Sequence, residues 1–266
     1  MRMFRSWSLI LLLFLTVPVF AGVPEIESGD VRELLLGRHV LILEDQTKQL
    51  TLEDIRSGRH DAEFKAATRD FPGLNNPNAN FWIKLSIDNK GADAKDLILE
   101  NRYPMLDTMT LYQTAADGSL KEETLGDEIP YENRTEAFRY PAYPIHLKPG
   151  VNDYVLKLQN KSTFVVSLFL WDSRHFENYT RRDNLVLGLL YGCIVVLILY
   201  NFFLALSFRS TTYMIYVVYL ITYVAYQFGI QATGIDWIPG ETGRWVMNRG
   251  WLIMVSVSHG LSCLFA

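Results

Sequence analysis

Apolar and polar positions are unevenly spread along this chain of 266 residues. From Leu185 to Ile235 the only charged side chain is Arg209. At the chain's mean of 20% charged residues, a stretch of that length would carry roughly ten. Leu185 to Phe208 is 24 uncharged residues, about 36 Å of helix and more than the ~30 Å hydrocarbon core of a bilayer. Tyr213 to Ile235 is another 23. The polar break between them, Ser207 to Thr212, is just long enough to turn. A single buried helix of about 50 residues falls far outside globular lengths. The pattern therefore predicts two transmembrane helices, about 185–208 and 213–235, joined by a tight loop at Arg209. A third run, about 250–266, gains its apolar character at Trp251 and at about 24 Å is short of a full crossing. It reads as a tilted span in a thinned bilayer, a re-entrant segment, or a helix whose pattern stops incomplete.

The pattern changes period upstream. In Phe81-Trp82-Ile83-Lys84-Leu85-Ser86-Ile87-Asp88 the odd positions are apolar and the even ones mainly polar, the alternation of a half-buried strand. Similar runs fall near 96–103, 107–114, 139–147, 152–160 and 165–172. Turn residues separate several of them, at Asn89-Lys90-Gly91, Asp117-Gly118 and Pro149-Gly150. Short strands at these intervals predict an antiparallel β-sandwich. The stretch 31–71 is less regular, with short helical turns expected at Asp54 to Arg56 and Ala62 to Thr68. Phe71 to Asn80 is a loop by composition. The expected fold class is a mainly β exported domain followed by an α-helical transmembrane region.

The first residues explain why the β domain is taken as exported. Arg2 and Arg5 precede an apolar run from Leu9 to Leu15, and Val19 and Ala21 stand where a signal peptidase reads. This is the pattern of a secretory signal peptide cleaved after Ala21, with an uncleaved anchor helix as the alternative. Domains are therefore expected at 1–21 (signal peptide), 22–180 (exported sandwich) and 181–266 (membrane helices). Residues 22–184 would lie in the periplasm and the Arg209 loop in the cytoplasm, in a multi-pass protein of a bacterial inner membrane. The positive-inside rule does not support this orientation, because Arg181, Arg182, Arg244 and Arg249 fall outside and only Arg209 inside.

Charge and cysteine usage narrow the partners. Residues 22–184 carry 20 Lys and Arg against 27 Asp and Glu, a formal charge of −7. That argues against nucleic acid and against an anionic membrane surface as a docking site. Both cysteines, Cys193 and Cys263, fall in apolar runs, so the exported part needs no disulfide.

Candidate chemistry is sparse. There is no Gly-x-Ser-x-Gly, no His-Glu-x-x-His, no phosphate-cradling glycine loop and no Cys/His metal spacing. No catalytic residue, metal or cofactor is expected, and the chain is read as not an enzyme. On the strand register Trp82, Lys84, Arg102, Tyr112 and Trp171 point away from the core. Exposed aromatics beside polar groups can stack sugar rings and bond hydroxyls. The alternative is that they cover a sheet beneath a loop, or face the membrane side. In the helices, Gly188 and Gly192 form a small-xxx-small pair, suited to close helix packing within the chain or to a homodimer. Tyr216, Tyr219, Tyr223 and Tyr226 share one face, which suggests a hydrogen-bonding seam.

The order of these parts resembles a known family. Gly188 to Gly192 runs into Leu199-Tyr200-Asn201-Phe202-Phe203 and Arg209, and Tyr213 to Tyr219 is followed by Gly229. Upstream stand FWIKLSIDN, DTMTLY and RYPAYPIHLKPG. Over roughly 40–266 these are similar to bacterial seven-transmembrane receptors with diverse intracellular signalling modules, with the second type of extracellular domain. The resemblance implies a jelly-roll outer domain for carbohydrate-like ligands, a seven-helix bundle, and a cytoplasmic signalling module. That module is absent from this sequence, which stops within the third helix. The expected function is a membrane-anchored signal-transduction receptor whose periplasmic sandwich binds a small ligand, a glycan fragment in the first instance. Its partners would be membrane lipid and that ligand. The rival readings are a non-signalling envelope binding or assembly protein anchored by the helices, and a membrane-tethered hydrolase.

Overall fold

The computed structural model describes residues 25–26, 31–114, 119–129, 138–233, 245 and 249–264. The leader, the turn at Asp117-Gly118 and most of the segment from Asp236 to Arg249 lie outside the described residues.

Strands β1 (Glu25–Ile26), β2 (Glu33–Leu35) and β3 (Val40–Asp45) precede a short helix α1 (Leu52–Arg56). Then come β4 (Lys65–Ala66), β5 (Gly73–Leu74), β6 (Asn80–Asn89), β7 (Lys95–Asn101), β8 (Thr108–Thr114) and β9 (Leu120–Leu125). The β region ends with β10 (Ala142–Leu147), β11 (Gly150–Gln159), β12 (Phe164–Val165) and β13 (Leu168–Asp172). One sheet runs β4-β3-β6-β11-β8-β9, with β1 added in parallel to β6. A second runs β10-β7-β13-β2, and β12 pairs with β5 in a short third sheet. Apart from β1, the pairings in all three are antiparallel, as expected.

The alternation in β6 works as read. Phe81, Ile83, Leu85 and Ile87 face the second sheet and meet Leu97, Leu99, Tyr143, Ile145, Leu168 and Leu170 in one buried layer. Tyr143 crosses that layer, and its hydroxyl donates to the Met109 carbonyl. This layer between two sheets is the main core of a β-sandwich.

Several elements differ from the sequence reading. β2, β3 and β9 were not anticipated. β3 (Val-Leu-Ile-Leu-Glu-Asp) does not alternate because it is covered on both sides: Val40 lies in the main core, and Leu43 packs under α1. The expected helical turn at 62–68 is a 3-10 turn at Asp61–Glu63 followed by β4. The expected loop 71–80 contains β5. The run 165–172 is two strands, because Val166 and Ser167 turn their N–H groups to the Pro72 carbonyl and to the Asn101 side chain.

The largest correction concerns the join to the membrane part. Helix α2 spans Ser173–Phe208, so it starts 12 residues before the uncharged run. The boundary drawn at 180/181 therefore falls inside a helix. Asp172 is the last residue of β13 and also the N-cap of α2, its Oδ1 accepting from the Arg174 and His175 N–H groups. At the far end Arg209 takes φ +50° and donates its N–H to the Ala205 carbonyl. This left-handed cap ends α2 and admits the turn predicted there. Helix α3 follows at Thr211–Ile230 and α4 at Trp251–Ser262. Both α2 and α3 are long and apolar enough to cross a membrane, and little of their apolar windows is buried within the chain. α4 is shorter, at 12 residues.

Candidate functional site

The outward positions of β6 are Trp82, Lys84 and Ser86. Beside them α1 is held by a reciprocal cap: Thr51 Oγ1 accepts from the Asp54 N–H, and the Asp54 carboxylate accepts from the Thr51 N–H at 3.0 Å. The Thr51 N–H and the Thr51 hydroxyl, both donating to it, hold the Asp54 carboxyl below the usual carboxylate range. The cap turns Leu52 and Ile55 down onto Leu43 and Trp82, a small second core on the outer face of the larger sheet. Trp82 is thus only 1% exposed. It points away from the main core as read, but α1 covers it, and its indole N–H is buried without a partner. Its ring stacks on Tyr112 at 6.0 Å.

Next to α1 lies a groove of about 590 Å³. Arg56, Lys84, Tyr112, His146, Lys148 and Asp153 are among the residues lining it. Lys84 bonds Asp61 at 2.5 Å and lies over the Phe64 ring at 4.7 Å. Ser86 Oγ donates to Asp153 at 2.5 Å. Burial, reinforced by Glu122, pushes the Tyr112 phenol up to about 12, so it stays a neutral hydroxyl at ordinary pH. The groove offers an aromatic edge, hydroxyls, an ammonium and a carboxylate, a set that can bond a polyhydroxylated ring.

Arg102 and Trp171 are elsewhere, on the outer face of the smaller sheet. Trp171 is 4% exposed, because the first turns of α2 lie over it. Phe176 and Tyr179 pack there with Ile98, Phe138, Ala142 and Phe169. Tyr179 stacks on Trp171 at 5.0 Å and 26°. The Arg102 guanidinium sits 3.9 Å from the Phe169 ring centre, 5.2 Å from Trp171 and 4.7 Å from Tyr179. It bonds Glu33 at 3.1 Å and Glu100 at 3.2 Å. Glu100 is fully buried. Its Oε2 also accepts from the Trp171 indole N–H at 2.8 Å, while its Oε1 has no partner. Burial raises its carboxyl above the usual range, against the pull of Arg102 and Trp171. One turn further along α2, Asp183 pairs with Arg139.

The five residues expected as ligand contacts are therefore divided between the two outer faces. Lys84 and Tyr112 line one groove, Trp82 supports it from beneath α1, and Arg102 and Trp171 form a joint to α2. Sequence reasoning missed Phe176, Tyr179 and Asp183 as joint residues. Their spacing of three and four residues, directly after Trp171, was the available signal.

In the membrane helices, a Cβ added at Gly188 or Gly192 would meet nothing within 4 Å among the described residues. The close approach is at Gly229, where a Cβ would lie 2.5 Å from Trp251 Cβ. Ala225 and Gly229 also have small-xxx-small spacing. Tyr216, Tyr219, Tyr223 and Tyr226 do share a face and follow one another at ring distances of 6.0 to 6.3 Å, ending against Trp251. Tyr191 stacks on Phe228 at 4.5 Å, joining α2 to α3. Among the described residues no group of acidic, His or Cys side chains could hold a metal ion.

Two family models match the chain. "7TMR-DISM extracellular 2" covers residues 37–172, and "7TM diverse intracellular signalling" covers 183–266. No curated protein matches it. Among solved structures, TmCBM61 in complex with beta-1,4-galactotriose is 10% identical, with a TM-score of 0.29 over 50% of this chain and 88% of that one. The K1 cleaved adhesin domain of Lys-gingipain from Porphyromonas gingivalis W83 is 15% identical, with a TM-score of 0.17 over 35% of this chain and 60% of that one. Both likenesses are too distant to bear on what this chain binds.

Proposed function

Because this chain belongs to the family of seven-transmembrane receptors with diverse intracellular signalling, and is thus a membrane protein with an extracellular domain, we propose that it is a sensor whose sandwich takes a small carbohydrate in the groove beside α1. In this reading it sits in a bacterial inner membrane as a multi-pass protein, with the sandwich in the periplasm. It catalyses nothing itself and hands its signal to a cytoplasmic module. The observation that carries the reading is α2. A helix that begins at the last residue of the sandwich and continues through an uncharged membrane-length run gives the sandwich a direct mechanical path inward. The mixed lining of the groove supports a hydroxylated ligand.

The test is thermal unfolding of the full chain in lipid nanodiscs against a panel of oligosaccharides. A ligand that binds the folded state stabilises it by about 2.7 kcal/mol at one hundred times its Kd, which reads as a rise in Tm. Lys84→Ala and Tyr112→Ala should each remove most of that rise. A panel that produces no shift rejects the carbohydrate reading. Release of shorter sugars would make the chain a hydrolase instead.

A further inference from the structure

A helix leaving a domain is usually free to swing unless something outside the chain of peptide bonds holds it. Here four elements converge on one guanidinium. Arg102 follows β7; its partners are Glu100 on β7, Glu33 on β2, Phe169 and Trp171 on β13, and Tyr179 on α2. Phe169 and Trp171 belong to the sheet and Tyr179 to the helix, so the cation touches rings on both sides of the joint. We propose that Arg102 is the latch that fixes the angle of α2 against the sandwich, so that the sandwich and the first three turns of α2 move as one body. This rests on the receptor reading and names how its outer domain would act on the membrane part.

Glu100 makes the latch costly to open. Glu100 is fully buried, and one of its oxygens has no partner. If Arg102 leaves, the carboxylate keeps only the Trp171 N–H, and a buried charge that loses its counter-ion is strongly disfavoured. Opening therefore requires Trp171, Tyr179 and the sheet beneath them to rearrange together.

Full-length protein in nanodiscs provides the test. One nitroxide goes on native Cys193, which is exposed on α2, in a Cys263→Ser background. A second goes on Val151→Cys, at a sandwich position that is 62% exposed. The distance between them is read by pulsed electron resonance. Arg102 as it stands should give one narrow distribution. Arg102→Ala should broaden it at least twofold, Arg102→Lys should broaden it less, and Lys161→Ala, on an exposed ion pair outside the joint, should leave it unchanged. A residue needed only for sandwich stability would lower Tm without broadening the distribution. If Arg102→Ala loses its β-sheet signal, Tyr179→Ala decides, since Tyr179 lies on the helix. Unchanged width in Arg102→Ala, or in Tyr179→Ala when that variant decides, overturns the latch. No ligand enters this experiment, so it stands or falls separately from the oligosaccharide panel.

Discussion

Glu100 shows how one side chain sets a measurable pH response. Its carboxyl is held above the ordinary carboxylate value by burial, so the folded chain keeps the proton to higher pH than the unfolded chain does. Ionisation of Glu100 therefore costs folding free energy. That cost is absent below the ordinary value and fully present above the raised one. The Tm of Glu100→Gln should gain on that of the unsubstituted protein as pH rises across this window, and the difference should then stay constant. A flat or reversed difference would contradict the dominance of burial. The period-two pattern did reveal that Arg102, Trp82 and Trp171 point away from the main core. It could not reveal what lies on top of them. Trp82 is covered by a helix formed 26 residues upstream, and Trp171 by one that starts two residues later. Direction is a local property of a strand, whereas burial depends on a neighbour that alternation does not encode.

At the scale of elements, the best-read strands have one apolar side, such as β6, β8 and β11. β3 was lost because both its sides are apolar, and β2 because three residues are too few to alternate. The two membrane helices were legible from length and charge alone, and so was the turn at Arg209. The start of α2 was not legible, since residues 173–184 are polar enough to pass for a linker. The cap is what commits them to helix. Asp172→Ala should remove the acceptor for the Arg174 and His175 N–H groups, at a cost of about 1 kcal/mol. Amide exchange of residues 174–177 should accelerate several-fold, while that of β6 and β11 stays as it was. Equal protection in the variant would mean that packing of Phe176 and Tyr179, not the cap, fixes the start of the helix. The close helix contact was sought at Gly188 and Gly192 and found at Gly229. A small-residue spacing marks where approach is allowed, but it does not say which helix arrives.

Considered whole, the molecule places its groove on the outside of one sheet and its joint on the outside of the other, with a close-packed core between them. Such interiors pass displacement on instead of absorbing it. Four glycines inserted after Thr180 would leave Phe176 and Tyr179 on the sandwich and separate them from Asp183. Ligand-dependent stabilisation of the sandwich should survive this insertion. Ligand-dependent changes in amide exchange along 185–208 should vanish, since a ligand shifts only those equilibria to which its differential affinity is coupled. Changes that persist would point to a route other than α2. The unbroken length of α2 has a further consequence in simple mechanics. Its 36 residues make a lever arm of about 54 Å. A tilt of about 5° at the outer fulcrum would sweep its inner tip through about 5 Å, close to the ~5.4 Å pitch of a helix. So small a tilt at the outer end of α2 would thus emerge at its inner tip as nearly a full helical step.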